Sequence, residues 1–330
     1  MKNSKKCVLV TGGAGYIGSI TSKLLLENNN DVIIIDNLSS GLVRAIPKGA
    51  KFIKGDIGDK SLLTKVFKKY QFDCVIHFAA LIRIEESTEN PKKYFDNNVL
   101  AGLNLLQVMI ADKHCRKIIY SSSAAVYGVP KKIPIAETSP LEPINPYGQT
   151  KKLFEIILDK YAQAGLIDSI ALRYFNVAGA YMAPECAWGE NHVPESHLIP
   201  LILRSVNHKR SFTIYGDDYP TSDGTCIRDY IHVYDLAQAH ILAMKKNFKG
   251  ALVYNVGAGR GYSNKEVFHI AQQVTNTKIP YIIGKRRAGD CSILTASNKK
   301  IKDELGFKPI RSDLKTIITD AWNYQKSRIS

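Results

Sequence analysis

No apolar run in this 330-residue chain reaches the roughly 18 residues that a membrane-spanning helix needs, because Gly, Pro or charge interrupts each one. A soluble protein is expected. The opening MKNSKKCVLVTGG sets lysines before an apolar run, as a signal peptide does, but the run ends after four residues at a glycine turn and reads as a strand. Cysteine is sparse: Cys7, Cys74, Cys115, Cys186, Cys226 and Cys291 lie far apart, without the paired spacing of zinc, redox or disulfide frameworks, and fit a reducing cytoplasm. Among the eight histidines there is no ligand spacing, and His192 and His197 fall in a Pro-containing loop rather than one turn apart on a helix, so no metal is expected. Also missing is a basic run interleaved with aromatics. The lysines are scattered doublets such as Lys68-Lys69, Lys92-Lys93 and Lys131-Lys132, so the net charge of +15 reads as a solvated surface that attracts anions and not as a nucleic-acid face. Low-complexity linkers and internal repeats are absent too.

What is present is an ordinary globular composition, 45% hydrophobic and 23% charged. Through the first half, short β-branched runs alternate with longer amphipathic stretches. Strands are predicted at 7–11, 31–36, 51–54, 73–78, 117–121 and 169–173, and helices near 19–27, 60–70, 91–113 and 146–163, with stops such as Asn28-Asn29-Asn30. That alternation predicts an α/β fold, a Rossmann-type doubly wound parallel sheet. After about Asn176 the rhythm weakens, with Pro184, Pro194, Pro200 and Pro220, which predicts a second, smaller α/β substrate domain. The expected division is 1–176 and 177–330, with some later segments returning to the first domain. A cleft is the default place for a ligand.

The segment VLVTGGAGYIGSI spaces Gly12, Gly15 and Gly18 as GxxGxxG between the first strand and the first helix. Glycine lets the backbone turn tightly and approach a pyrophosphate, which then meets the N–H groups and positive dipole end of the helix. A glycine triplet alone is weak evidence. Asp36, a little over twenty residues beyond the turn and closing the next strand, strengthens it, because a carboxylate belongs there to accept from ribose hydroxyls. The same carboxylate would repel a 2′-phosphate, so NAD is favoured over NADP. Arg44 reads as a surface arginine. In GDIGD, Asp56 and Ile57 follow the third strand at the sheet's carboxyl edge, where an adenine could rest.

In SSSAAVYG the fifth strand closes at Ser121–Ser123, and NPYGQTK opens a helix with Asn145 as cap and Pro146 in its first turn. Tyr147 and Lys151 stand four apart and share a face. YxxxK is common by chance, but a serine at a strand's carboxyl end in the same sheet as the glycine turn completes the parts of a hydride-transfer site. Oxidising an alcohol needs a base for its proton, and a free tyrosine, with a pKa of about 10, is a poor one. A lysine charge about 4 Å away supplies roughly 4 kcal/mol at an effective dielectric near 20, enough to poise Tyr147 near neutrality. Tyr147 is therefore the expected acid/base, with Lys151 lowering its pKa and holding a cofactor ribose, and Ser123 bonding the reacting oxygen.

Along essentially its whole length the chain resembles the extended short-chain dehydrogenase/reductase family and, within it, the UDP-glucose 4-epimerases. The motifs that carry the resemblance are TGGAGYIG, Asp36-Asn37, GDI, HFAA, DNNV, SSSAAVYG, YGQTK, RYFNVAGA, HLIP, IYGDDYPTSDGTCIRDYIHV and RRAGD. The resemblance implies tightly held NAD bound by Gly12, Gly15, Tyr16, Ile17, Gly18, Asp36, Asn37, Asp56, Ile57, Phe78, Ala79, Ala80, Asn97, Ser121, Tyr147, Lys151 and Tyr174. For a UDP-sugar it implies Ser123, Tyr147, Tyr174, Asn176, His197, Leu198, Thr213, Tyr215, Arg228, Arg287, Asp290 and Leu294. It also implies oxidation of the sugar at C4, return of hydride to the opposite face of the keto intermediate, and a homodimer. Arg228 and Arg287 suit a diphosphate because planar guanidinium matches phosphate oxygens. Salt bridges with Asp229 and Asp290 are their structural alternative.

Three positions depart from the family pattern. Ile82, with Arg83 beside it, stands where a cofactor-contacting lysine is common; His197 stands where many members have Asn; and Leu294 replaces the tyrosine or cysteine that sizes the sugar pocket. From Leu294 we expect N-acetylated UDP-hexosamines to fit as well. A 4,6-dehydratase would need a carboxylate next to Ser123, where this chain has Ala124 and Ala125. An epimerase or decarboxylase of UDP-hexuronic acids or pentoses is the nearer rival. From another class, a non-catalytic NAD-sensing regulator has no use for Ser123, Tyr147 and Lys151.

Overall fold

A computed structural model describes residues 5–183, 186–286 and 290–328. The chain forms two compact units. The first comprises Met1–Val129, Pro140–Arg173 and Ala237–Tyr254, and the second Pro130–Ser139, Tyr174–Leu236 and Asn255–Ser330.

The first unit is built on a sheet whose strands are β1 (Cys7–Thr11), β2 (Asp31–Asp36), β3 (Lys51–Lys54), β4 (Cys74–His77), β5 (Lys117–Ser123) and β6 (Asp168–Tyr174), joined at one edge by Ala251–Val256. Its order is 251–256, β6, β5, β4, β1, β2, β3. The pairs β1·β2, β1·β4, β2·β3 and β4·β5 are parallel. This is the doubly wound arrangement, with its change of direction between β1 and β4, where such sheets bind ligands at their carboxyl ends. Six strands were expected; the seventh comes from the part of the sequence where the alternating rhythm fades. Apolar residues run continuously through VLV, VIII and CVI, because helices cover both faces of the sheet and leave no wet side to alternate with. Leu9, Ile33, Val75, Ile118, Phe67, Leu105 and Phe154 join in one core cluster. Burying a side chain such as Phe154 contributes roughly 1.5–3 kcal/mol.

The helix Pro146–Gln163 starts as the sequence indicates: Asn145 accepts from the Gly148 N–H at 2.8 Å, and Pro146 sits in the first turn. The long helix expected over 91–113 is instead Pro91–Phe95, a π-helical turn at Asp96–Leu100 and then Ala101–Asp112. The cause lies in Asn98. Its buried amide accepts from the Leu81 N–H at 2.8 Å and donates to the Leu81 carbonyl at 3.0 Å and to Thr150 Oγ1 at 3.2 Å, bonds that hold the turn away from regular geometry.

In the second unit, Ile227–His232 pairs in parallel with Asn176–Ala178 and Ile293–Leu294 and antiparallel with Gly261–Ser263. Phe212–Tyr215 pairs in parallel with Tyr281–Gly284. The helices Leu198–Asn207, Asn264–Thr275 and Leu314–Lys326 contribute to its core through Ile202, Val206, Val267, Phe268, Ile317 and Ile318. Among the described residues no helix is long and apolar enough to cross a membrane.

Candidate active site

The glycine turn lies against the segment after β4. Gly12 has φ +72°, and a Cβ there would stand 2.6 Å from the Ala79 nitrogen; one on Gly18 would stand 2.3 Å from the Gly12 oxygen. Both positions need the missing side chain so that loop, helix and sheet can close on one another. The following helix, α1 (Tyr16–Glu27), begins at Gly15 without a side-chain cap, so no capping oxygen occupies the space before its first-turn amides. Asp36, at the end of β2, is 8% exposed; its Oδ2 accepts from the Ala14 N–H at 3.0 Å and its Oδ1 from the Leu38 N–H at 2.8 Å. The carboxylate is thereby fixed next to the turn, with lone pairs left over for hydroxyl donors. Asn37 donates to Asp56 at 2.7 Å, whose other oxygen accepts from the Gly58 N–H at 2.7 Å, and Ile57 beside it is buried. Phe78, Ala79 and Ala80 follow β4, where the Phe78 N–H donates to the Thr11 carbonyl at 3.0 Å and the Phe78 ring meets His240 at 4.6 Å. Asn97 donates to Asn98 at 2.9 Å within the π turn. Residues from the ends of β1 to β5 therefore meet at one edge of one sheet.

Ser123 ends β5. Its Oγ accepts from the Ala125 N–H at 3.2 Å and is hydrogen-bonded to the Tyr147 phenol. Tyr147 is 7% exposed and Lys151 2%. The Lys151 Nζ donates to the Ser121 carbonyl at 2.8 Å and lies 5.8 Å from the centre of the Tyr147 ring. Burial pushes the Lys151 ammonium down to about 7, against a smaller upward pull from Glu155. Burial raises the Tyr147 phenol, and the Ser123 hydrogen bond offsets only part of this. Burial opposes both charged forms, and in this geometry it outweighs the expected drawing of Tyr147 toward neutrality by Lys151. Burial, with Lys151 adding to it, also holds the His77 imidazole down to about 3, neutral beside Thr11 Oγ1 at 2.7 Å.

Sequence reasoning missed the support behind this site. Glu155 lies one helical turn beyond Lys151 and is 7% exposed; it pairs with Arg173 at 2.5 Å and with the Ser122 hydroxyl, while Arg173 donates to the Tyr127 phenol at 2.9 Å. The Tyr147 N–H donates to Ser87 Oγ at 3.2 Å. Only the i, i+4, i+8 placement of Tyr147, Lys151 and Glu155 on one face could have signalled the first of these.

The remaining candidates lie in the second unit, among them Tyr174, the last residue of β6. Asn176 opens a strand in register with Tyr230. His197 precedes the helix that starts at Leu198, and Thr213 and Tyr215 lie on Phe212–Tyr215, where Tyr215 is 40% exposed. Arg228 is in register with Leu294 and pairs with Asp290 at 3.3 Å. Asp229 turns elsewhere, accepting from the N–H groups of Ala258 at 2.7 Å, Gly259 at 3.0 Å and Ala296 at 3.1 Å, so the alternative of an Arg228–Asp229 bridge is not realised. Arg287 lies outside the described residues. In the loop before the 198–207 helix, Glu190, His192, Glu195 and His197, which no helical spacing links in the sequence, bring one donor atom each within 4.8 Å of one another. Glu190 presses His197 up to about 10 against its burial.

A sequence profile described as the NAD dependent epimerase/dehydratase family matches residues 8–257, and the chain belongs to that family. It is 47% identical to a UDP-glucose 4-epimerase of Lactobacillus helveticus over 323 residues, 97% of each chain. The crystal structure of UDP-glucose 4-epimerase from Brucella ovis in complex with NAD superposes with a TM-score of 0.91 at 44% identity, covering 97% of this chain and 98% of that one. The enzyme from Bifidobacterium longum in complex with NAD+ and UDP gives 0.91 at 38% identity, over 98% and 99%.

Proposed function

We propose that this chain is a UDP-glucose 4-epimerase that retains NAD and interconverts UDP-glucose and UDP-galactose by transient oxidation at sugar C4. The observation that carries the proposal is the meeting of Ser123, Tyr147 and Lys151 at the carboxyl end of the sheet that holds the glycine turn and Asp36. The residues fit the cofactor: a glycine cradle, an uncapped helix start and a buried carboxylate acceptor suit pyrophosphate and ribose, and Asp36 disfavours a 2′-phosphate. NAD, when bound, supplies a hydride acceptor and donor.

The chain's own residues do the rest. Tyr147 takes the proton of the C4 hydroxyl and returns it to the same oxygen, Ser123 holds that oxygen, and Lys151 orients the cofactor ribose. Gly12, Gly15, Tyr16, Ile17, Gly18, Asp36, Asn37, Asp56, Ile57, Phe78, Ala79, Ala80, Asn97, Ser121 and Tyr174 complete the cofactor's contacts. Asn176, Leu198, Thr213, Tyr215, Arg228, Arg287, Asp290 and Leu294 hold the UDP-sugar, with the Arg228 guanidinium on the diphosphate. We further infer a homodimer, read by light scattering, and a cytoplasmic enzyme, in keeping with the free thiols of Cys7, Cys74, Cys115, Cys226 and Cys291. Leu294, smaller than tyrosine, leaves room for UDP-N-acetylhexosamines.

The test is to denature the purified protein, look for released NAD, and assay untreated protein on UDP-galactose without added cofactor. Released NAD together with turnover and no net nicotinamide absorbance change is the expected result. Turnover only with added NAD, accompanied by its net reduction, would overturn it.

A further inference from the structure

The loop ahead of the Leu198–Asn207 helix carries a duplicated Glu-x-His, Glu190 with His192 and Glu195 with His197. We propose that these four residues form a structural site for a divalent first-row metal ion of the zinc class.

The donor set suits such an ion, since imidazole nitrogen and carboxylate oxygen are both ordinary zinc ligands. Zn–N bonds of about 2.0–2.1 Å make the edges of a tetrahedral site roughly 3.3–3.5 Å long. The His192 Nδ1 lies 3.1 Å from Glu190 Oε1, and the His197 Nδ1 lies 3.4 Å from Glu195 Oε1. The four donors fall within 4.8 Å of one another, and Glu190 and His197 are in closer contact still. Small rotations of the side chains would equalise these edges around a central ion.

Burial points the same way. The Glu195 side chain is 0% exposed and that of Glu190 6%. The Nδ1 atoms of His192 and His197 and the Oε2 of Glu195 are buried without a hydrogen bond of good geometry, though Arg204 approaches that oxygen to 3.9 Å. Buried donors left in this state are costly unless something else takes them up. A dication balances both carboxylates and takes the ring lone pairs directly. Four protein ligands leave no open position, the mark of a structural and not a catalytic metal. The site would tie the loop into one conformation and set the start of the helix at Leu198. Its coordination would also withdraw the His197 imidazole from the nucleotide contact assigned to it by resemblance.

Metal content of the full-length protein from zinc-supplemented growth, together with cobalt substitution, tests the proposal without reference to turnover. About one zinc per chain is expected, with at least about tenfold weaker binding in H192A and in E195Q, measured against a chromophoric chelator. The cobalt form should show the intense visible bands of a tetrahedral site, and X-ray absorption should show nitrogen and oxygen neighbours only. Zinc well below stoichiometry in natively folded protein would overturn the site. So would sulfur in the coordination shell, or zinc held as tightly by both variants, since the metal would then sit on cysteine. If either variant fails to fold, the cobalt and absorption spectra of the wild-type protein decide alone.

Discussion

The Lys151 ammonium donates to the Ser121 carbonyl oxygen at 2.8 Å, which joins the helix that carries Tyr147 to the carboxyl end of β5. The lysine is held in place by this bond, and its burial is what brings its proton within reach of neutral pH.

A dependence of stability on pH follows. With a folded value of about 7 and a reference value of 10.5, the unfolded chain binds more protons than the folded one between those limits. Stability from this group therefore rises with pH across that window, and the cost of burying the charge is complete below it. The urea midpoint of K151M should rise less between pH 7 and pH 10 than that of the wild type, by an amount set by this group alone. An unchanged slope would refute the assignment. Turnover of the same variant should fall by about 10²-fold or more.

Tyr147→Phe should lower kcat by about 10²–10⁴-fold, because it removes the proton acceptor and little else. Circular dichroism and NAD content should match the wild type. Near-full activity would reject Tyr147 as the acid/base.

Glu155→Gln leaves Arg173 buried without its counter-charge and should cost about 3–5 kcal/mol in unfolding free energy. A double Glu155→Met, Arg173→Met variant should lose much less than the sum of the two single changes. Additive losses in a double-mutant cycle would show that the pair acts as two independent groups.

Asp36→Ala removes the acceptor for the Ala14 and Leu38 amides as well as any ribose contact. Hydrogen bonds to a charged group contribute about 1.5–3 kcal/mol each, so NAD should bind at least about tenfold more weakly. Fluorescence titration of the cofactor-stripped protein measures it. Full NAD retention would remove Asp36 from the cofactor site.

Leu294→Tyr should depress turnover of UDP-N-acetylglucosamine more than that of UDP-glucose. Equal loss on both would mean that position 294 does not size the pocket.

The local signals of the fold were legible because each is written in a few neighbouring residues. β1, β2 and β3 have the bounds expected of them, and Asn145 and Pro146 start their helix as their chemistry requires. The glycine turn and Asp36 could be recognised since their spacing reflects one strand–helix–strand unit. What escaped depends on contacts far apart in sequence. Asn98 distorts a helix by bonding Leu81 and Thr150, and Glu155 on its helix meets Arg173 on β6, 18 residues further along the chain. The Tyr147 and Lys151 proton affinities likewise follow from burial that no spacing reveals. In the 190–197 loop, four donors converge through a backbone path without helical or strand periodicity.

The order in which segments join the two units constrains how the protein can be made. The backbone passes from one unit to the other five times, at 129/130, 139/140, 173/174, 236/237 and 254/255. A nascent chain halted at residue 176 would hold β1 to β6 but lack the 251–256 strand, leaving β6 as a bare sheet edge open to pairing with other chains. Completion of that sheet must therefore wait until residues 251–256 have been made, so the first six strands keep an open edge while the segments between residues 174 and 250 are synthesised.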